Sequence, residues 1–183
     1  MKQKIRKLLF EILPVAIGVL MALFIDNFRD SYRDRQYVTK MMSIVRNENS
    51  QNMIQISEAI QRQKELNDTI SYYLNDSLST IHALILKVNG LASPDLLHNG
   101  SDYLLNSNQV LLDVDQMIRM SNQKNEIDNF HFSNKKLSDL FYQDLGKSDR
   151  ESKYRFSMVL YDVIYYEERI YQLCKEFNEG STF

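Results

Sequence analysis

The first residue to test for chemistry is Glu11, a carboxylate inside an apolar run, Leu8–Ile25, that carries no lysine or arginine. A carboxyl in such a setting handles protons or cations between packed helices, or it snorkels to the interface from about one turn inside, beside Lys7 four residues earlier. Both readings are open on the residues alone. His82, His98 and His131 come next, yet no two share the i, i+3 or i, i+4 spacing with which one helix face holds a metal ion, and no cysteine accompanies them. Cys174, the single cysteine, cannot form an internal disulfide and reads as a small apolar residue on a helix face. Glu167-Glu168 lacks the Glu-x-x-His partner of a di-iron bundle. There is no nucleophile elbow, phosphate loop, dinucleotide fingerprint or H-E-x-x-H. The expectation is a protein that is not an enzyme, with no catalytic residue, metal or cofactor implied.

The element that would position Glu11 is the apolar run itself. Its eighteen residues rise about 27 Å as a helix, close to the roughly 30 Å of a bilayer's hydrocarbon core. The run is longer than a signal-peptide core and Leu23-Phe24-Ile25-Asp26 offers no A-x-A-like cleavage site, so an uncleaved signal anchor is expected. Four cations, Lys2, Lys4, Arg6 and Lys7, face Arg29, Arg33, Arg35 and Lys40 across it. The first group is packed against the apolar edge, which points to an N-terminus inside and a C-terminal domain in the periplasm, at the inner (cytoplasmic) membrane. Glu11, Val15, Gly18 and Ala22 fall on one helix face, and Gly18 with Ala22 forms a small-xxx-small seam where a second helix can approach. Pro14 removes one backbone hydrogen bond beside Glu11.

Glu11-Ile12, Val15, Ile17-Gly18, Leu20, Ala22-Leu23 and Asn27-Phe28 together resemble the N-terminal signature of an uncharacterised bacterial family of short single-pass membrane proteins, a domain of unknown function. Members read E-I-x-x-V-x-I-G-I-L-x-A-L-x-x-N-x-W at this place. The chain departs from that pattern at Asp26, Phe28 and Pro14. The resemblance implies a membrane-anchored helical protein with no assigned activity, and it carries over Glu11, Gly18, Ala22 and Asn27 as candidate residues.

The rest of the chain reads as helix. No Gly or Pro occurs from Val19 to Asn89, and Gly (5) and Pro (2) are scarce throughout. Apolar residues recur in steps of three and four through Val45, Ile56, Leu66 and Ile70, interrupted by Asn49 and Gln63, which suits one face of a bundle or a coiled coil between protomers. The expected architecture is all-α: residues 1–27 as cytoplasmic tail and transmembrane helix, then 28–183 as a helical extramembrane domain. Helices are expected at about 28–74, 78–89, 109–120, 134–145 and 149–178, the first a long stalk and the whole an antiparallel helical bundle. Asn75-Asp76-Ser77 should break the first helix and Asn89-Gly90 should end the second. His98-Asn99-Gly100-Ser101 should stop any helix begun at Ser93-Pro94-Asp95, and Ser107 or Asn108 should cap the third, turning Val110, Leu111, Val114, Met117 and Ile118 inward. Ser148 and Glu151 form a capping box for the last helix. That helix is apolar over more than half its circumference, and its tyrosine-rich side, Tyr154, Tyr161 and Tyr165, either packs in the core or meets another protein.

A net charge of -2 gives no long-range field to attract nucleic acid. Partners expected from the residues are the lipid bilayer and either further copies of the chain or a larger envelope complex. The expected role is structural: an anchored interaction protein. The alternative is an oligomeric ion- or proton-conducting component that uses Glu11. A further reading has the Arg29–Arg35 stretch sense the membrane surface, though its interspersed Asp residues suit a solvated face better.

Overall fold

A computed structural model describes residues 2–107 and 109–180, with side chains from Pro14 onward. Among these residues there are five α-helices and no strand: α1 (Lys2–Tyr72), α2 (Ile81–Lys87), α3 (Asn99–Ser107), α4 (Val114–Asp144) and α5 (Arg150–Glu179), with one 3-10 turn at Gln109–Leu111. The all-α class is as expected. Two compact units divide the chain, Met1–Met41 and Met42–Phe183.

Among the described residues no helix is long and apolar enough to cross a membrane. The crossing expected over Leu8–Ile25 is therefore not supported there. Leu8–Leu13 and the side chain of Glu11 lie outside the residues whose side chains are described, and the remainder, Pro14–Ile25, rises only about 18 Å as a helix.

In the second unit α1 ends where the turn-forming residues predict. Asp76 accepts hydrogen bonds from the Leu78 N–H at 2.9 Å and the Ser79 hydroxyl at 2.5 Å, while Lys153 reaches across from α5 to donate to the Tyr73 carbonyl at 2.9 Å and to that of Asp76. A cation at a helix C-terminus meets the exposed end of the carbonyl ladder. The free amides at the start of α2 are all engaged: Ile81 and His82 donate to the carbonyls of Lys147 and Leu145, both at 3.0 Å, and Ala83 to the Thr80 hydroxyl at 3.2 Å. Asn89, with φ of 62°, and Gly90, with φ of 102°, turn the chain out of α2, and the Gly90 N–H returns to the Ile85 carbonyl at 2.9 Å.

Three expectations are corrected here. The tetrad His98-Asn99-Gly100-Ser101 starts α3 instead of stopping a helix, because the carboxylate of Glu48 accepts the Gly100 N–H at 3.0 and 3.2 Å. The helices expected at 109–120 and 134–145 are one helix, α4. Asp113 caps it in a box with Gln116, accepting that residue's N–H at 2.7 Å. Val110 stands in the 3-10 turn before this start and is 97% exposed; within α4 Val114 and Ile118 also face outward, while Met120, Gln123, Ile127 and Phe130 turn inward. Asn108 lies outside the described residues. Finally, α5 is capped by Asp149, which accepts the Ser152 N–H at 2.9 Å, one residue later than the Ser148 box.

The core of the second unit is a three-helix seam with α2 across one end. Ile56, Leu66 and Ile70 of α1 meet Ile127, Phe130 and Leu137 of α4 and Phe156, Leu160, Val163 and Ile170 of α5, with Ile81, Leu84 and Ile85 closing over them. Antiparallel packing holds for two pairs. Asp144 meets Arg155 and Gln123 meets Cys174 between α4 and α5, and Asn67 meets Ser157 and Gln63 meets Glu167 between α1 and α5. Helices α1 and α4 therefore run in the same direction, and the segment 73–113 makes the return.

Candidate interaction surfaces and the buried polar layer

On α1 the inward positions 45, 49, 52, 56, 59, 63, 66 and 70 follow a strict four-three rhythm, and three of them are polar: Asn49, Asn52 and Gln63. Their partners explain them. Asn52 donates to the Leu97 carbonyl at 2.7 Å and accepts the Leu97 N–H at 2.8 Å; Gln63 donates to the Ala92 carbonyl at 3.0 Å; Gln55 accepts the Asp95 N–H at 3.1 Å. These side chains form a ladder that takes up four backbone groups of the connector 91–98, which has no helix or sheet of its own, and Glu48 on Gly100 extends it to the start of α3. A Cβ at Gly100 would lie 3.1 Å from Glu48 Oε2 and from Val45 Cγ2, so any larger residue must push these side chains aside by a few tenths of an ångström. The interruptions at Asn49 and Gln63 show in the sequence but their partners do not: Gln63 serves the connector, 29 residues away, while Asn49 accepts from Gln123 Nε2 of α4 at 2.5 Å, and no local pattern names groups so distant.

Of the buried titratable groups, Glu167 and Cys174 are raised well above their ordinary values. Glu167 is fully buried and accepts from Gln63 Nε2 at 2.9 Å, while its Oε2 and Gln63 Oε1 have no hydrogen-bond partner. Burial pushes its carboxyl up to about 8, opposed by the Gln63 hydrogen bond and assisted by the charge of Glu168. At neutral pH it is mostly the neutral acid. Cys174 is buried in the core beside Gln123 Nε2 at 2.9 Å, and burial pushes its thiol up to about 12, so it stays protonated and is no nucleophile. That matches the reading of Cys174 as a small apolar residue.

The histidines are not gathered. His98 Nδ1 lies 2.8 Å from Asp102 Oδ2, and Lys124 Nζ lies 2.5 Å from Asp102 Oδ1, so the carboxylate is shared between an imidazole and an ammonium and ties α3 to α4. Burial works to raise the Asp102 carboxyl, but the hydrogen bonds from Lys124 and His98 outweigh it and hold it below the usual range. Among the described residues no three His, Cys, Asp or Glu side chains come together as a metal site.

Two surfaces look outward. On α1 Val15, Ile17, Val19, Leu20, Met21, Leu23, Phe24, Ile25 and Phe28 are 48–73% exposed. At about 100° per residue they cover the whole circumference except an arc of about 80°. Gly18 and Ala22 fill that arc, and nothing lies within 4 Å of where a Gly18 Cβ would stand. Asn27, beside this collar, is exposed as well. The other surface is on α5, where Tyr154, Tyr161 and Tyr165 face out of the core; Glu168 beside them pairs with Lys64 at 2.6 Å.

No protein-family model, curated protein or solved structure matches this chain. The family resemblance of the N-terminal signature rests on its own residues.

Proposed function

We propose that the chain is a membrane-anchored helical interaction protein without a catalytic role. Its N-terminal apolar run lodges in the inner (cytoplasmic) membrane with the N-terminus inside, and its three-helix unit docks in the periplasm on other copies or on an envelope complex. One observation carries the reading: the collar Val15–Phe28 presents large apolar side chains on nearly every side of a helix and leaves them open. A helix apolar all round is stable where lipid or protein covers it, and water is a poor surrounding for it. Joined to Leu8–Leu13 the run is long enough to cross; Pro14–Ile25 by itself is not. The arc of Gly18 and Ala22 supports helix–helix association once the collar is in lipid.

The test is flotation of the full chain with vesicles of phosphatidylethanolamine and phosphatidylglycerol. The chain should float with the lipid and stay there through a carbonate wash. Ile17→Arg with Leu20→Arg should release it with its helical circular dichroism intact, because a charge near mid-span costs about 2.5–3.5 kcal/mol on insertion scales. A wild-type chain recovered in the aqueous fraction sinks the proposal.

A further inference from the structure

We propose that the outward stripe of α5 is a homodimer face, on which a second copy of this chain docks with its own α5 running parallel. The proposal deepens the interaction role above and rests on it, though not on the membrane anchor. Tyr154, Met158, Tyr161 and Tyr165 recur at steps of four, three and four, so they form one line along the helix, and each is 49–60% exposed. Tyrosine offers large amphipathic contact area and is enriched at interfaces. Beside Tyr165 the junction of α5 with α1 is concave. A hollow of about 260 Å³ reaches Tyr161 and Asp68, and one of about 340 Å³ reaches Ile60 and Gln172, which gives an incoming aromatic ring room to seat.

The charges beside the stripe select the occupant and its direction. Glu168 meets Lys64 of α1, and Arg169 meets Glu126 of α4 at 3.7 Å, so the two flanks of the stripe face α1 and α4 respectively. At about 100° per residue Arg150 and Lys175 join Glu168 on the α1 flank, while Glu151 and Glu176 join Arg169 on the α4 flank. The flanks thus carry opposite signs at three levels: Arg150 against Glu151, Glu168 against Arg169, Lys175 against Glu176. A two-fold axis parallel to α5 lays the α1 flank of one copy on the α4 flank of the other at the same level, and all three levels attract. An antiparallel pairing centred between Tyr161 and Tyr165 lays each flank on itself reversed. It sets Arg150 against Lys175 and Glu151 against Glu176, and both repel. The face is therefore complementary to itself in one orientation.

The full chain in detergent micelles tests this with one introduced cysteine at a time, since native Cys174 is buried and its thiol protonated. Under copper-phenanthroline oxidation Tyr154→Cys and Tyr161→Cys should each link to their own counterpart, at least about tenfold more than Ser138→Cys on the exposed side of α4. Tyr161→Glu with Tyr165→Glu should weaken the dimer at least about tenfold in analytical ultracentrifugation while helical circular dichroism persists. Lys175→Glu should lower crosslinking at position 154 several-fold, and adding Glu176→Lys should restore it. A monomeric chain overturns the proposal. So does a dimer that links at neither position, which places association elsewhere, or one that links at 161 but not at 154, which is antiparallel. Crosslinks that persist in a chain that fails to float remove the anchor and keep this face; the opposite result does the reverse.

Discussion

Asn52 and Leu97, forty-five residues apart, close a ring of two hydrogen bonds: the side-chain amide donates to the Leu97 carbonyl at 2.7 Å and takes up its N–H at 2.8 Å. Asn52 is fully buried, so a side chain here does for the connector what a neighbouring strand does in a sheet. Replacing it by leucine strands one backbone donor and one acceptor away from water, at about 1–3 kcal/mol for each group. Asn52→Leu is expected to lower stability by about 2–4 kcal/mol in urea unfolding. A loss below 1 kcal/mol would show that the connector finds other partners.

The close approach at Gly100 makes an independent prediction. A methyl group there meets Glu48 and Val45 at 3.1 Å and Ile44 at 3.2 Å, on a helix that cannot retreat without losing the Glu48 contact with its N-terminus. Gly100→Ala should cost about 1–3 kcal/mol from overpacking, although alanine is the better helix former. A more stable Ala variant would refute the packing argument.

Glu167 gives stability a pH dependence of definite sign. Its carboxyl is raised from the ordinary 4.5 to about 8, so between those values the folded chain holds a proton that the unfolded chain has released. The stability is fully present below pH 4.5 and is lost as the pH rises through about 8, at up to about 1.4 kcal/mol per unit. Glu167→Gln keeps the shape and removes the proton. The variant should gain on the wild type steadily from pH 5 to pH 8 in paired melting curves, and parallel curves would contradict the assignment.

Asp144 works in the opposite sense. Burial tends to raise its carboxyl, but hydrogen bonds from Lys147 and Arg155 and their charges hold it below the ordinary 3.8. Its contribution is present above that value and is lost as the pH falls below it. Both cations are about half exposed, so Asp144→Asn should cost about 1 kcal/mol at neutral pH, and the difference should narrow progressively as the pH falls below 3.8. A difference that stays constant throughout the acid limb would point to packing instead of charge.

Several features were legible because they are local. The turn at Asn75-Asp76-Ser77 and the end of α2 at Asn89-Gly90 each depend on a residue's own backbone preference or its next few neighbours. The start of α3 and the fusion of two expected helices into α4 were not legible. The first needs the Glu48 carboxylate from a distant helix, and the second needs Gln123 and Ile127 to find an inward side within a stretch, SNQKNEIDN, that looks like a loop in isolation.

The candidate surfaces divide in the same way. Tyr154, Tyr161 and Tyr165 were visible as a tyrosine-rich side of a broadly apolar helix, for which packing in the core was the better reading from spacing alone; all three are exposed. The fold decided by giving the inward phase of α5 to Phe156, Leu160, Val163, Glu167 and Ile170.

By itself, then, the amino-acid order determined that this chain is helical, where most of its helices stop, and that a long apolar run precedes a mixed-charge body. Backbone propensity and hydrophobic rhythm are written within a few residues of each other. Only the tertiary structure decided which polar residues enter the interior, because Asn52, Lys153 and Glu167 are tolerable there solely through groups supplied by other elements: the Leu97 backbone, the Tyr73 and Asp76 carbonyls and the Gln63 amide.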